Sequence, residues 1–381
     1  MKSPKYDLII IGAGPYGLSL ATIAKAKGLK YLVLGKPLEF WDNNMPKEMI
    51  LRSGKGWHID PLEVHTFQKF LLERSYDDLN YFSKKIFIEY GRWFLAKKQL
   101  NIAEEYVLNI NREDSIYQLD TSDNNTYISS AVVVAIGAKY FYYIPKDIVS
   151  NIPANFYSHT CHTIDFHGYA NKRILVVGGR QSAFEWATLL TENGCEKVTL
   201  SYPSSTPSFS KSNWGIADEL VKKYEENPNW YYNLSQEKKS KIDQSFWKEG
   251  RLKIEPWLEE RLKKDKYVAY PNSRVTSCTQ KGDFLEIQID ADITVKVDHI
   301  LFATGYKVDI ARIPFMKNSN IVEGIDTING SPVLDENYQS NQKGLYFTGI
   351  SSTKSMGLFF GFLIGVNVAS LNIFNSIEKN L

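Results

Sequence analysis

The sequence contains little cysteine, and its three cysteines lie far apart. Cys161, Cys195 and Cys278 form no Cys-x-x-Cys pair, which excludes the redox dithiol of thioredoxin-like reductases. Sparse, unpaired cysteine is typical of a reducing compartment. The first predicted strand begins soon after Met1, with no signal or transit segment before it. We therefore expect a cytoplasmic protein.

The chain also lacks an excess of charge of either sign. Its 45 basic and 43 acidic residues are interspersed and leave a net charge of +2. This balance argues against a nucleic-acid partner or a polybasic membrane anchor and favours a small-molecule partner, with a homo-oligomer left open. The 381 residues, 43% of them hydrophobic, are enough for about two domains with full cores.

Long apolar runs are missing as well. The nearest approach, residues 358–374, is short for a membrane span and is interrupted by polar residues. Gly357, Gly361 and Gly365 are spaced four apart, which predicts one face of a buried helix close to another backbone or a cofactor. A membrane or oligomer contact is the alternative.

What the sequence does contain is a strand-turn-helix pattern typical of dinucleotide binding. Residues 6–11 form an apolar run like that of a buried parallel strand. The hexapeptide Gly12-Ala13-Gly14-Pro15-Tyr16-Gly17 follows it. In such a pattern Gly12 permits the tight turn, Gly14 lets the backbone approach a pyrophosphate, and Gly17 allows close packing of helix on strand.

The end of the next strand departs from this pattern. A helix predicted over residues 16–27 directs its N-terminus at the phosphates, and residues 30–34 form the second strand. An acid normally follows that strand to bind the ribose, yet Gly35 and Lys36 stand there and the nearest acid is Glu39. The N-terminal position favours FAD, by analogy with large flavoproteins.

A second, less regular copy lies about 165 residues downstream. Residues 173–177 form its strand, residues 182–192 its helix, and Gly178-Gly179-Arg180-Gln181-Ser182-Ala183 the turn between them. Arg180 replaces the middle glycine. Either its side chain hinders a pyrophosphate, or its guanidinium binds the phosphate as a bidentate donor.

The strand that follows indicates which nicotinamide nucleotide this copy binds. Residues 197–202 end without the acid that favours NAD, and the hydroxyl-bearing residues 204–206 come next. Together with Arg180 or Lys211, these hydroxyls suit a 2′-phosphate, so NADP is favoured. A degenerate site that binds no nucleotide is the alternative.

Three further apolar strands end in glycine, at Gly137, Gly305 and Gly349, where each glycine lets the chain turn beside a cofactor. The predicted fold is therefore α/β, with two Rossmann-like dinucleotide-binding domains. The NAD(P)H domain is inserted into the FAD domain. The FAD domain is predicted to span residues 1–160 and 306–381, and the inserted NAD(P)H domain is predicted to span residues 161–305.

The insert carries an addition of its own. Residues 211–267 are charged and rich in tryptophan, with amphipathic helices predicted at 237–248 and 257–266. This region either covers a substrate or forms a solvated lid packed around its own tryptophans.

Together with the paired fingerprints, three segments resemble the class B flavoprotein monooxygenases, which include flavin-containing, Baeyer-Villiger and N-hydroxylating lysine and ornithine monooxygenases. Residues 156–166 match the linker signature of that class, with Ser158 in place of its glycine and His162 as its histidine. Residues 302–306 fit the same class. Residues 178–185, Gly-Gly-x-Gln-Ser-Ala-x-Glu, are most similar to the N-hydroxylating branch.

The resemblance implies that NADPH reduces FAD, that the reduced flavin forms a C4a-hydroperoxide with molecular oxygen, and that oxygen passes to a small organic substrate. It also implies that residues 45–53 run along the flavin. Arg52, within that segment, is expected to face the polar edge of the isoalloxazine, and Trp57, in the loop of residues 54–61 that follows, is expected to shield it; packing roles for both are equally open. An NAD(P)H oxidase or reductase without oxygen insertion, and a flavin-binding module with a degenerate second site, are the alternative functions.

The predicted site divides into catalytic and cofactor-binding residues, and no metal site is predicted because the histidines and cysteines match no common zinc spacing. The catalytic candidates are Arg52 and Trp57. The cofactor-binding candidates are Gly12, Gly14, Pro15, Tyr16, Gly17, Gly35, Lys36, Trp41, Arg52, Gly137, Gly178, Gly179, Arg180, Gln181, Ser182, Gly305 and Gly349.

Overall fold

Two large sheets organise the chain in the computed structural model, which describes residues 4–76, 79, 81–262 and 265–380; the second is parallel, and the first is parallel except for β6 (Val107–Glu113) and β7 (Ile116–Thr121), which pair antiparallel. The strands, in chain order, are β1 (Lys5–Ile11), β2 (Tyr31–Leu34), β3 (Ile50–Leu51), β4 (Phe82–Ser83), β5 (Ile102–Ala103), β6 (Val107–Glu113), β7 (Ile116–Thr121), β8 (Thr126–Val134), β9 (Tyr157–His159), β10 (Arg173–Val177), β11 (Lys197–Ser201), β12 (Tyr267–Tyr270), β13 (Val275–Lys281), β14 (Phe284–Ile289), β15 (Ile293–Val297), β16 (His299–Phe302), β17 (Thr327–Ile328), β18 (Ser331–Pro332) and β19 (Leu345–Phe347).

Helices cover both sheets. The α-helices are α1 (Pro15–Ala26), α2 (Glu39–Asn43), α3 (Phe67–Glu73), α4 (Lys84–Lys98), α5 (Lys146–Val149), α6 (Gln181–Glu192), α7 (Gly215–Glu226), α8 (Gln236–Phe246), α9 (Trp257–Arg261), α10 (Thr353–Met356) and α11 (Val366–Asn380). A π-helical turn spans Trp247–Arg251. Short 3₁₀ turns span Ala154–Phe156, His167–Tyr169, Ile310–Arg312, Pro314–Met316, Val322–Gly324, Gly349–Ser352, Leu358–Gly361 and Leu363–Gly365.

The strand order shows how the second sheet is inserted into the first. The first sheet runs β5-β2-β1-β8-β7-β6, and β19 pairs with β8 in parallel, with Leu345 opposite Val132. The second sheet, β12-β11-β10-β16-β9, is built from chain that lies between β8 and β19. This arrangement confirms the predicted α/β fold with one Rossmann-like unit inserted into another. The domain limits at 160 and 305 stay predictions; β9, just before the first limit, pairs with β16 of the second sheet.

Each sheet has its own core. Leu8, Ile9 and Ile10 of β1 are fully buried because helices cover both faces of a parallel sheet, which explains the continuous apolar run in the sequence. In the second sheet Ile174, Leu175 and Val176 are equally buried. The antiparallel strands β13, β14 and β15 add a smaller layer whose buried side chains alternate along β14.

The tryptophan-rich addition packs against both cores instead of forming a separate one. Tyr224, Tyr231 and Phe246 join the core of the first sheet, whereas Ile254 and Leu258 join that of the second. Its helices α8 and α9 lie where helices were predicted, although α9 ends at Arg261, and residues 263 and 264 of the second predicted helix lie outside the described residues. The addition therefore bridges the two nucleotide-binding units.

The prediction of one helix carrying three aligned glycines near the C-terminus is wrong. Gly357 has φ +108°, a conformation that no α-helix contains, and only 3₁₀ turns follow until α11 begins at Val366. Gly361 and Gly365 therefore lie in irregular chain before α11. Within the described residues, every helix is too short or too polar to cross a membrane.

Candidate functional site

Both nucleotide fingerprints open into one cavity of about 1200 Å³. Pockets for a single small ligand usually measure roughly 300–1,000 Å³, so this cavity has room for more than one. The carboxyl ends of β1 and β10 form two of its walls, and the tryptophan-rich addition forms a third. The location agrees with the rule that ligands of open α/β sheets bind beyond the carboxyl ends of the strands.

The first fingerprint has the space that a pyrophosphate needs. A Cβ at Gly17 would lie 1.9 Å from the carbonyl oxygen of Gly12, so this position keeps α1 tight against its strand. A Cβ at Gly14 would meet nothing within 4 Å, because that side faces the cavity. No side chain caps α1, which leaves its first N–H groups for an anion. These features fit FAD.

The ribose corner contains residues that sequence reasoning missed. Gly35 lies against the fingerprint loop with φ +133°. Glu39 lies beside it and accepts a hydrogen bond from Tyr106 Oη at 2.5 Å, and its carboxylate is 3.5 Å from Lys139 Nζ. Burial and the Glu39 carboxylate raise the pKa of Tyr106 to about 12. Tyr106 and Lys139 are distant in sequence and belong to no fingerprint, so no local signal points to them.

The second fingerprint differs at the position of its arginine. Gly178, with φ +145°, makes the turn against Ala303, whose carbonyl oxygen would be 2.6 Å from a Cβ there. Arg180 has extended backbone, φ −116° and ψ −177°, which any residue adopts without strain. Its side chain is exposed at the cavity wall, and no side chain caps α6. These features fit a second nucleotide, with the middle glycine replaced by a cation.

The end of β11, predicted to hold a 2′-phosphate, is partly filled. The ring of Tyr202 lies against Gly179, where a Cβ would be 2.4 Å away. Ser204 lines the cavity and is exposed. Lys211 is exposed but is not part of the cavity wall.

Arg52, predicted as catalytic, makes its ion pair and its hydrogen bonds with residues of the addition. Its Nε is 3.1 Å from an oxygen of Glu255, and its guanidinium donates to Ser212 Oγ and to the carbonyl of Gly250. It also lies 5.2 Å from the ring of Trp214. Arg52 lines the cavity, but these contacts make it a bridge between the segment of residues 45–53 and the addition.

Trp57, the second catalytic candidate, is held in a similar way. Its Nε1 donates to Asp218 at 3.1 Å, and its ring packs edge-on against Trp214 with the centroids 5.7 Å apart. The side chain is buried at the cavity wall. Its shielding of a flavin stays a prediction, and its observed contacts are with α7.

The structure brings the remaining predicted residues together. With the exception of Gly17, which packs inside α1, every predicted cofactor-binding residue lines the cavity. Tyr16 also ties α1 to the C-terminal segment, because its hydroxyl donates to the carbonyls of Phe360 and Phe362, the latter at 2.9 Å. Trp41 packs against Phe87 with the ring centroids 4.5 Å apart and the ring planes tilted by 41°. Their contacts with a cofactor stay predictions.

Glu185 is a buried acid that the sequence showed only as part of a signature. It is 1% exposed, lines the cavity from α6, and accepts a hydrogen bond from the backbone N–H of Ile50 at 3.3 Å. Burial raises the pKa of its carboxyl to about 7. Glu185 therefore connects the second fingerprint helix to the segment of residues 45–53 and changes charge near neutral pH.

The addition contributes ionisable groups to the far wall. Asp243 accepts a hydrogen bond from Tyr231 Oη at 3.1 Å, and burial raises the pKa of its carboxyl. Lys239 Nζ donates to the carbonyl of Tyr232 at 2.9 Å, and burial lowers the pKa of its ammonium. Lys354 lies on the same wall. Sequence reasoning missed them because only tertiary packing of the addition and of α10 places them at the cavity.

The linker accommodates its unusual serine. Ser158 Oγ lies 2.8 Å from His299 Nε2 and 2.7 Å from Thr163 Oγ1, so polar partners surround the hydroxyl where the resembled class has glycine. His162 is exposed, and its ring packs edge-on against Tyr142 at 4.6 Å.

Comparisons with known proteins agree with this architecture. A family model described as pyridine nucleotide-disulphide oxidoreductase matches residues 9–227, more than half of the chain. A Geobacillus kaustophilus protein described as an uncharacterized CzcO-like oxidoreductase is 24% identical over 356 residues, which cover 90% of each chain.

Two solved structures share the fold. The ornithine N-hydroxylase of Kutzneria sp. 744, whose structure is described with reduced FAD, NADP⁺ and L-ornithine, matches with a TM-score of 0.80 at 18% identity, covering 99% of this chain and 100% of that one. The bacillithiol disulfide reductase of Staphylococcus aureus matches with a TM-score of 0.69 at 19% identity over 99% of both chains. The predicted resemblance to class B enzymes is thereby confirmed for the fold.

Proposed function

Because the chain belongs to the pyridine nucleotide-disulphide oxidoreductase family, we propose that it is an FAD-dependent oxidoreductase that uses NADPH and molecular oxygen to oxygenate a small organic substrate. One observation carries the proposal: two nucleotide fingerprints and a helical addition line the same cavity. A nicotinamide, a flavin and a substrate are thereby brought within one enclosed space. The fold shared with the Kutzneria ornithine N-hydroxylase supports this choice.

The chain's own groups have distinct tasks in this proposal. The uncapped start of α1 and the open side of Gly14 bind the FAD pyrophosphate. The start of α6, with Ser182 at the cavity wall, binds the nicotinamide nucleotide. When bound, the flavin accepts hydride and supplies the oxygen chemistry.

The addition and the C-terminal segment that follows β19 together supply the substrate wall. Phe246 of the addition and Leu358 and Phe362 of that segment make part of it apolar, which limits water at the reacting centre. Asp243 and Lys354 give the same wall polar groups that orient a substrate. We place the substrate between the addition and the C-terminal segment.

The properties of the cysteines agree with a reaction that takes place at the flavin and not at a protein thiol. Cys161 and Cys195 are buried, and burial raises the pKa of their thiols to about 12 and about 11. Neither is a reactive thiolate that would relay electrons. The three free thiols also support the proposed location in the reducing cytoplasm.

The proposed function is tested by measuring oxygen consumption and hydrogen peroxide release in the same reaction. The purified holoprotein is mixed with NADPH and a panel of small amines, sulfides and ketones while oxygen consumption, released hydrogen peroxide and oxygenated product are measured. We expect at least one substrate to raise NADPH oxidation and to convert most of the consumed oxygen into product. If all oxygen appears as peroxide with every substrate, the protein is an NAD(P)H oxidase. If electrons reach a quinone or disulfide and oxygen is not consumed, it is a reductase.

A further inference from the structure

Three guanidinium groups gather on one wall of the cavity. Arg52, Arg180 and Arg251 all line it, and Arg52 alone is paired, with Glu255. Among the described residues, no carboxylate forms an ion pair with Arg180 or Arg251. Burial, together with the repulsion of Arg52 and Arg180, lowers the pKa of Arg251 to about 10. The wall therefore carries surplus positive charge that an anion would stabilise.

The indole ring of Trp247 packs against two of these guanidinium groups. Arg180 Cζ lies 4.3 Å from the centroid of the Trp247 ring and Arg251 Cζ lies 5.1 Å from it, both within cation-π range. Trp247 begins the π-helical turn, and such turns are frequent at functional sites.

The turn itself is fixed to the first nucleotide-binding unit. The guanidinium of Arg52 donates to the carbonyl of Gly250 in the same turn. Gly250 is packed so closely against Trp214 that a Cβ would lie 2.7 Å from that ring. The turn that carries Trp247 is thus held in place by Arg52 and by the packing of Gly250 on Trp214, which positions the indole beside Arg180.

The chemistry at Arg180 points to a phosphate. Arg180 precedes the uncapped N-terminus of α6, a 12-residue helix whose first N–H groups favour an anion. A guanidinium that places one face on an aromatic ring keeps its N–H donors, which lie in its plane, for bidentate contact with phosphate. The middle glycine of a fingerprint is where the backbone meets a pyrophosphate.

We propose that Arg180, held against Trp247, is a clamp for the pyrophosphate of the nicotinamide nucleotide and takes the place of the missing glycine contact. The proposal deepens the function proposed above and depends on it. Arg251, whose Cζ is 5.1 Å from the centroid of the same ring, adds positive charge. Because NADP⁺ and NAD⁺ share the pyrophosphate, the clamp strengthens the binding of both.

The test is calorimetric titration of the oxidised holoprotein with NADP⁺ and, separately, NAD⁺, so that the readout is affinity and not turnover. For Arg180→Ala we expect both affinities to fall by the same factor, about 10- to 100-fold, as for a lost charge-assisted contact. For Trp247→Leu we expect a fall of about 3- to 10-fold, and for Trp247→Phe a smaller one, because a ring is kept. Lys281→Ala, which removes an exposed cation on β13 away from the cavity, controls for net charge and should change neither affinity.

Each of the other possible results contradicts one part of the proposal. Unchanged affinities in Arg180→Ala remove Arg180 from the site, and tighter binding in Arg180→Gly shows that the arginine blocks the cleft. A loss confined to NADP⁺ places Arg180 at the 2′-phosphate. An unchanged Trp247→Leu variant refutes the supporting role of the indole. If the wild-type holoprotein binds neither nucleotide, the proposed function itself fails. Melting temperatures of all variants establish that the fold is intact.

Discussion

At the scale of single residues, two glycines of the first fingerprint have different tasks. Gly17 faces the backbone of Gly12, whereas Gly14 faces open cavity. The first is needed for the fold and the second for the ligand. Substitution by alanine separates these tasks because it adds one methyl group in each case.

We predict that Gly14→Ala folds normally but binds FAD at least about tenfold more weakly, since φ −84° suits alanine and the added methyl group occupies the pyrophosphate space. Gly17→Ala should lower the stability of the apoprotein by about 2 kcal/mol or more, because its Cβ overlaps a carbonyl. Gly168→Ala, at an open surface position, is the control. FAD titration and melting temperature provide the two readouts. Equal flavin affinity in Gly14→Ala and wild type would contradict the placement of the pyrophosphate.

Glu185 predicts a dependence of stability on pH. Its pKa of about 7 in the folded protein lies above its usual value near 4.5. Between these values the folded state retains a proton that the unfolded state has released, so stability falls as pH rises through this window, by up to about 3 kcal/mol. The variant Glu185→Gln has no ionisable group at this position and therefore lacks this loss of stability. The difference between its melting temperature and that of the wild type should increase from about pH 5 to about pH 8.

The matched control for that experiment is Glu192→Gln, on the exposed end of the same helix. It should show no comparable rise relative to wild type. A parallel pH dependence in Glu185→Gln and wild type would mean that Glu185 is ionised throughout, against the effect of its burial.

At the scale of elements, one buried ion pair helps to fix the tryptophan-rich addition. Arg52 directly follows β3 and Glu255 precedes α9, and their side chains are 14% and 4% exposed. The pair joins segments separated by 203 residues. Its loss should therefore loosen the addition more than the sheets.

We predict that Arg52→Ala destabilises the protein by about 3–5 kcal/mol, because it leaves the Glu255 carboxylate buried without its cation. The double variant Arg52→Met with Glu255→Met should recover most of that loss, since it removes both charges. Thermal melting and limited proteolysis within residues 211–267 are the measurements. If the double variant is as unstable as the single one, the ion pair is not the cause.

The elements also show what the sequence can and cannot predict. α1 and α6 were predicted to within one residue because their fingerprints and apolar patterns are local. The glycine spacing near the C-terminus led to the wrong prediction of a single helix, because spacing in the sequence does not reveal the positive φ of Gly357. The partners of Glu39 and of Arg52 were not foreseeable, since they come from segments brought close only by tertiary packing.

At the scale of the whole molecule, insertion of one nucleotide-binding unit into another creates the cavity. The chain leaves the first sheet after β8 and returns to it at β19, which runs parallel to β8. The addition then contacts the cores of both units and closes the third side. Paired fingerprints in the sequence predicted this plan, whereas the closure by the addition emerged from the structure.

We propose above that an FAD and an NADPH meet in this single cavity. An anaerobic titration of the purified protein with NADPH, in which the visible absorption of oxidised flavin is recorded, tests this proposal. We expect a yellow protein that bleaches in proportion to added NADPH, with an end point at one equivalent per bound flavin. A protein that binds no FAD, or whose bound flavin stays oxidised with excess NADPH, would contradict the proposal.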